Sequence, residues 1–142
     1  MTKLKIIFWV YVALVLCVTL VFFRGTPFAR FELNPIASYQ RALYADARLA
    51  RGEIAGVVLN IIMFIPLGFL APAIWKKFRK FYLLLILVVS ATLFIETAQF
   101  ITSRGVFSLE DIIHNTLGGV FGFIIFKIYP QELNKKKTYR DT

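Results

Sequence analysis

Four apolar runs leave the chain very few folds: Ile6–Phe23, Ile54–Trp75, Phe81–Phe100 and Ile112–Tyr129. Each is close to the ~20 residues that a helix needs to cross ~30 Å of hydrocarbon. In that medium backbone amides find no water, so a spanning segment must satisfy them internally, as a helix does. The chain is 58% hydrophobic, with a mean hydropathy of +0.70, whereas a soluble domain is about half apolar. Its 15 phenylalanines suit a lipid-facing surface better than a small soluble core. The expected fold is all-α: one polytopic membrane domain over 1–142, with transmembrane helices at about 6–23, 54–75, 81–101 and 111–129 and a basic tail at 130–142.

The net charge of +9 does not point to nucleic acid. The basic residues flank the apolar runs and form no aromatic-interleaved soluble patch. Their distribution instead sets an orientation. Lys3, Lys5, Lys76, Lys77, Arg79, Lys80, Lys127, Lys135, Lys136, Lys137 and Arg140 fall on one side of a four-helix topology. The other side carries arginines without lysine: Arg24, Arg30, Arg41, Arg48, Arg51 and Arg104. Both termini are therefore expected in the cytoplasm. The first run has no small-x-small cleavage pattern after it, and Phe22-Phe23-Arg24-Gly25 reads as the exit of an uncleaved helix. Cys17 lies inside that run and is the one cysteine, so it has no partner for a disulfide within the chain.

Between the first two spans, Pro27 and Asn34-Pro35 break the chain. From Ile36 to Arg51 the composition turns helix-favouring. Arg41, Arg48 and Arg51 share one side, with Ile36, Tyr39, Leu43 and Ala50 on another. The pattern predicts an amphipathic outer-face segment, its arginines near lipid phosphates and its end at Gly52.

Polar groups then gather where spans three and four meet. Asn60 lies about 9 Å along the second span, and Glu96 about 8 Å short of the outer end of the third, at 1.5 Å per residue. Gln99, His114 and Asn115 fall at a similar depth, and Arg104 and Asp111 close the cluster from above. Such groups are costly in a membrane and are usually paired, buried between helices, or functional. Asn60, Phe64 and Gly68 form one stripe, Thr92, Glu96, Gln99 and Ser103 another. Gly118-x-x-x-Gly122 permits close approach of a neighbouring helix.

These residues resemble the VanZ-like family of small bacterial membrane proteins. The resemblance rests on Asn60-x3-Phe64-x-Pro66-x-Gly68, Glu96-x2-Gln99 and Arg104-x2-Phe107-x3-Asp111-x3-Asn115-x2-Gly118, with Leu33-Asn34-Pro35 as a looser match. It implies a link to low-level resistance to the glycopeptide teicoplanin and supplies no defined reaction.

Two functions follow as expectations. In the first, Asn60, Phe64, Gln99, Arg104, His114 and Asn115 bind an amphiphile: a membrane lipid, a lipid-linked envelope precursor or a lipoglycopeptide. In the second, Glu96 and Asp111 act as acid and base on a lipid substrate. Glu96 and Arg104 are expected to pair. The residues have no metal-binding spacing, and neither function calls for a cofactor. A purely structural polar network is the third reading of the same residues.

Overall fold

The computed structural model describes residues 2–22 and 31–140, with side chains for 3–20 and 31–129. The exit at Phe22-Phe23-Arg24-Gly25 beyond Phe22, the Pro27 break, Arg24 and Arg30 lie outside the described residues, as do the side chains of the basic tail. Along the chain run α1 (Thr2–Cys17), β1 (Phe31–Glu32), α2 (Ala37–Tyr44), α3 (Ala47–Ile74), α4 (Phe81–Ile101), β2 (Phe107–Ser108) and α5 (Leu109–Arg140). A π-helical turn, Val18–Phe22, extends α1, and a 3-10 turn, Lys76–Arg79, links α3 to α4. Four segments are long and apolar enough to cross a membrane: Lys3–Leu20, Ala47–Ile74, Phe81–Ile101 and Leu109–Tyr129. Their outward faces are apolar too, with Trp9 61% and Phe94 63% exposed. Faces of that kind are stable against lipid and not against water.

The bundle is built on the close approach of α3 and α5. A Cβ placed on Gly118 or Gly122 would run into the carbonyl oxygens of Ile61 or Ile65, so only glycine lets these backbones meet. The matched order of those contacts makes α3 and α5 parallel. Helix α4 runs the other way beside them: Val88 lies against Gly119, Thr92 bonds Asn115, and Glu96 reaches Ser108. Pro66 and Pro72 sit within a continuous α3, a placement that packed neighbouring helices make tolerable in a membrane. Helix α1 docks through Tyr11, whose hydroxyl donates to the Met63 carbonyl at 2.7 Å. Phe8 and Trp75, with ring centroids 4.9 Å apart, bring its N-terminal half to the end of the bundle that carries the lysine-rich turn. Arg79 lies over the Phe126 ring at that same end. The start of α1, the basic link and the second half of α5 thus share one end, and the polar groups gather at the other.

The amphipathic segment is present but differs from expectation. It is α2, and it stops at Tyr44. Asp46 then caps a new helix by accepting the N–H groups of Arg48 and Leu49, each at 2.9 Å. Arg48 and Arg51 therefore open α3, and Gly52 lies within the helix instead of ending a segment. With 28 residues, α3 is about 42 Å long at 1.5 Å per residue, some 12 Å more than the hydrocarbon thickness. Its charged residues, Arg48, Arg51 and Glu53, all fall in its first two turns. Two short strands, β1 and β2, pair in parallel with Phe31 opposite Phe107 and Glu32 opposite Ser108. They seat Phe31 and Glu32 against the connection between α4 and α5.

Candidate functional site: a polar cavity at one end of the bundle

The connection after α4 begins with a tight helix end. Ser103 has a φ of 52°, Arg104 N–H donates to the Gln99 carbonyl at 2.9 Å, and Ser103 N–H donates to the Phe100 carbonyl at 3.1 Å. This is the Schellman arrangement, with serine where glycine is usual. Four residues after Arg104, Ser108 caps α5: its Oγ accepts the Asp111 N–H at 3.2 Å. The Ser108-Leu-Glu-Asp111 sequence is a capping-box spacing with aspartate at its last position. The turn and the cap together aim the Ser108 N–H at Glu96, whose Oε2 accepts it at 2.9 Å.

Around these groups lies a cavity of about 430 Å³. Asn60, Glu96, Gln99, Asp111 and Asn115, all singled out from sequence, line it together. Glu96, Gln99 and Asn115 are buried, and Asn60 of α3 shares the wall with Asp111 of α5. Gln99 Nε2 donates to the Thr19 carbonyl at 3.1 Å, within the widened π turn. Asn115 Nδ2 donates to Thr92 Oγ1 at 2.8 Å, and its Oδ1 has no partner.

The other expected site residues lie elsewhere. Phe64 borders a separate apolar groove of about 210 Å³, formed by Tyr11, Val12, Val15 and Leu16 of α1, Leu67 of α3, and Ala91, Phe94 and Ile95 of α4. Ile95 belongs to both walls. His114 faces α2, where its Nε2 is 3.0 Å from the Tyr39 hydroxyl. Arg104 is exposed on the connection and is not part of the cavity wall. The described partner of Glu96 is thus the Ser108 amide, not the guanidinium expected from sequence.

Several wall residues escaped the sequence reading. Glu32 comes from β1, Ser38 from α2 and Glu53 from the first two turns of α3, and they join Arg41 of α2, which the sequence had singled out for another role. Arg41 bridges them: its Nε donates to Glu53 at 3.0 Å, Nη2 to Ser38 Oγ at 3.0 Å, and Nη1 to Glu32 at 3.4 Å. Gly52 and Gly56 also line the cavity, and a Cβ on either would meet nothing within 4 Å. Below α2, Glu110 is 1% exposed, and its Oε2 accepts the Ser38 N–H at 2.8 Å. The capping box was a local signal for Ser108 and the start of α5. Glu32, Glu53 and Glu110 carried no local signal, because tertiary contacts alone bring them here.

Fold and cavity define a small multi-pass membrane protein with a polar chamber at one end of its helix bundle. Residues 8–130 match the family model described as VanZ/LLP1, and the chain belongs to that family. It is 32% identical over 105 residues to Protein VanZ of Enterococcus faecium. The alignment covers 72% of this chain and 63% of that protein, so the chain spans less than two thirds of the relative's length. No solved structure matches.

Proposed function

We propose that this protein holds the polar head of a cell-envelope amphiphile in the cavity, with the apolar chain in the adjoining groove. By sequestering or presenting that molecule it contributes to teicoplanin resistance. The amphiphile is a membrane lipid, a lipid-linked envelope precursor or a lipoglycopeptide. The cavity faces the outer leaflet of the bacterial cell membrane, and both termini are cytoplasmic. One observation carries the reading: a wall of polar groups and an apolar groove meet at Ile95. A polar chamber joined to an apolar slot complements a head group joined to a chain, and neither half alone would call for an amphiphile.

Gly56→Leu tests it. The side chain has open space to enter, so it fills the cavity without displacing backbone. Lipid co-purifying with the wild-type protein, identified by mass spectrometry, is expected to be lost in the variant. Teicoplanin tolerance is expected to fall with it at unchanged membrane abundance. Retained lipid and unchanged tolerance would reject the reading.

A second reading is supported by the placement of Glu96 and Asp111 on one cavity wall. There they act as the acid and base of a lipid-modifying enzyme. Incubation of purified protein with labelled envelope lipids separates the two, since a binding protein returns its lipid unchanged.

A further inference from the structure

Hydrogen-bond accounting around the cavity leaves a surplus of one kind. Four of the donors on the wall are engaged: Gln99 Nε2 on the Thr19 carbonyl, Asn115 Nδ2 on Thr92, Ser108 N–H on Glu96, and Arg41 on Glu32, Glu53 and Ser38. Acceptors remain. Asn115 is 2% exposed and lines the cavity with a buried Oδ1 that has no partner. Such an orphan acceptor bears the cost of its lost hydration until something donates to it. Charge leans the same way: among the described residues the wall holds four carboxyl groups, Glu32, Glu53, Glu96 and Asp111, and one cation, Arg41. Arg41 is tied to Glu32 and Glu53 at the rim. Of the inner carboxyl groups, Glu96 has the Ser108 N–H as its described partner, and Asp111 lies on the same wall.

We propose that the cavity selects a primary ammonium on the head group of its ligand, a specificity that rests on the amphiphile reading above. An ammonium brings three donors and one positive charge. Asn115 Oδ1, Glu96 and Asp111 supply the missing acceptors and counter-charge. A trimethylammonium carries the same charge without a donor, so the orphan acceptors would stay unsatisfied and binding would be weaker. An anionic head group would meet carboxyl groups.

The test compares head groups on one pair of chains. Purified full-length protein is titrated by native mass spectrometry with dioleoyl phosphatidylethanolamine, phosphatidylcholine and phosphatidylglycerol, and with soluble phosphoethanolamine. The ethanolamine lipid is expected to bind about tenfold more tightly than the other two lipids, as one to two buried donor–acceptor pairs imply. Asn115→Leu and Glu96→Gln should each shrink that preference, and the glutamine retains an acceptor for the Ser108 N–H. Equal binding of all three lipids, abolished by Gly56→Leu, overturns the ammonium specificity and leaves the amphiphile site standing. Binding that ignores Gly56→Leu overturns both. If soluble phosphoethanolamine binds as tightly as its lipid, the ammonium specificity holds and a soluble amine replaces the lipid as its source.

Discussion

Glu110, in the first turn of α5, accepts the backbone N–H of Ser38, in the first turn of α2, at 2.8 Å. One turn further along α5, His114 meets the hydroxyl of Tyr39, the residue after Ser38. The short outer helix is thus held by the spanning helix beneath it, and with it Ser38 and Arg41 at the cavity. Glu110→Ala strands the half-buried Ser38 amide and should cost about 1–3 kcal/mol. Glu110→Gln keeps an acceptor and should cost less. Thermal unfolding in detergent measures both, and amide hydrogen exchange over 37–44 should quicken in the alanine variant. An unchanged melting temperature for Glu110→Ala would show that α2 is held by other contacts.

Glycines on α3 and α5 should respond in opposite directions. Gly118→Ala and Gly122→Ala drive a methyl into the Ile61 and Ile65 carbonyls, and overpacking of this kind costs about 1–3 kcal/mol. Gly52→Ala and Gly56→Ala meet open space and should gain up to about 1 kcal/mol of helix propensity. Membrane abundance and melting temperature report the contrast. Equal effects at all four positions would contradict the tight α3–α5 packing.

Ser103 holds a left-handed conformation, with φ at 52°. Such a backbone costs a non-glycine residue about 1–2 kcal/mol. Ser103→Gly should therefore raise the melting temperature, and Ser103→Val should lower it. The reverse order would mean that α4 does not end in this turn.

Asn115 and Thr92 share a buried hydrogen bond of 2.8 Å. A double-mutant cycle with Asn115→Ala and Thr92→Val should yield a coupling near ~0.6 kcal/mol, the average for such bonds between membrane helices. So small a loss leaves the fold in place. Activity per folded molecule is then expected to fall further than abundance for Asn115→Ala, and likewise for Asn60→Ala and Gln99→Ala. If activity tracks abundance in all three, the amides are structural.

Phe78 and Arg104 lie in connections at opposite ends of the bundle. In a Cys17→Ser background, an impermeant thiol reagent applied to intact cells should label Arg104→Cys and not Phe78→Cys. The opposite pattern would invert the orientation drawn from the lysines.

The glycine pair, the spans and the polar level were legible along the chain because each is a local property. Hydropathy over ~20 residues is read without any neighbour. Gly118 and Gly122 are spaced for close packing whichever helix packs there, and it is α3 that does. At 1.5 Å per residue, counting was enough to put Asn60, Glu96 and Asn115 at one depth, and they do share a cavity. The same counting could not say which way each side chain turns. Phe64 shares a stripe with Asn60 yet lines the apolar groove, and His114, next to Asn115, turns to Tyr39.

What the sequence by itself determined is that this chain crosses a membrane four times and gathers its costly polar residues at one end. Both follow from the free energy of placing each residue in hydrocarbon, which is nearly additive along a helix. Tertiary structure alone decided who meets whom. Arg41 links Glu53 to Glu32, twelve residues one way and nine the other, and Glu110 holds a helix 72 residues earlier. Such pairings depend on how parallel α3 and α5, antiparallel α4 and the small β1–β2 pair come together. No local rule encodes them, because the energy of a hydrogen bond or ion pair exists only once both partners have been brought to the same place.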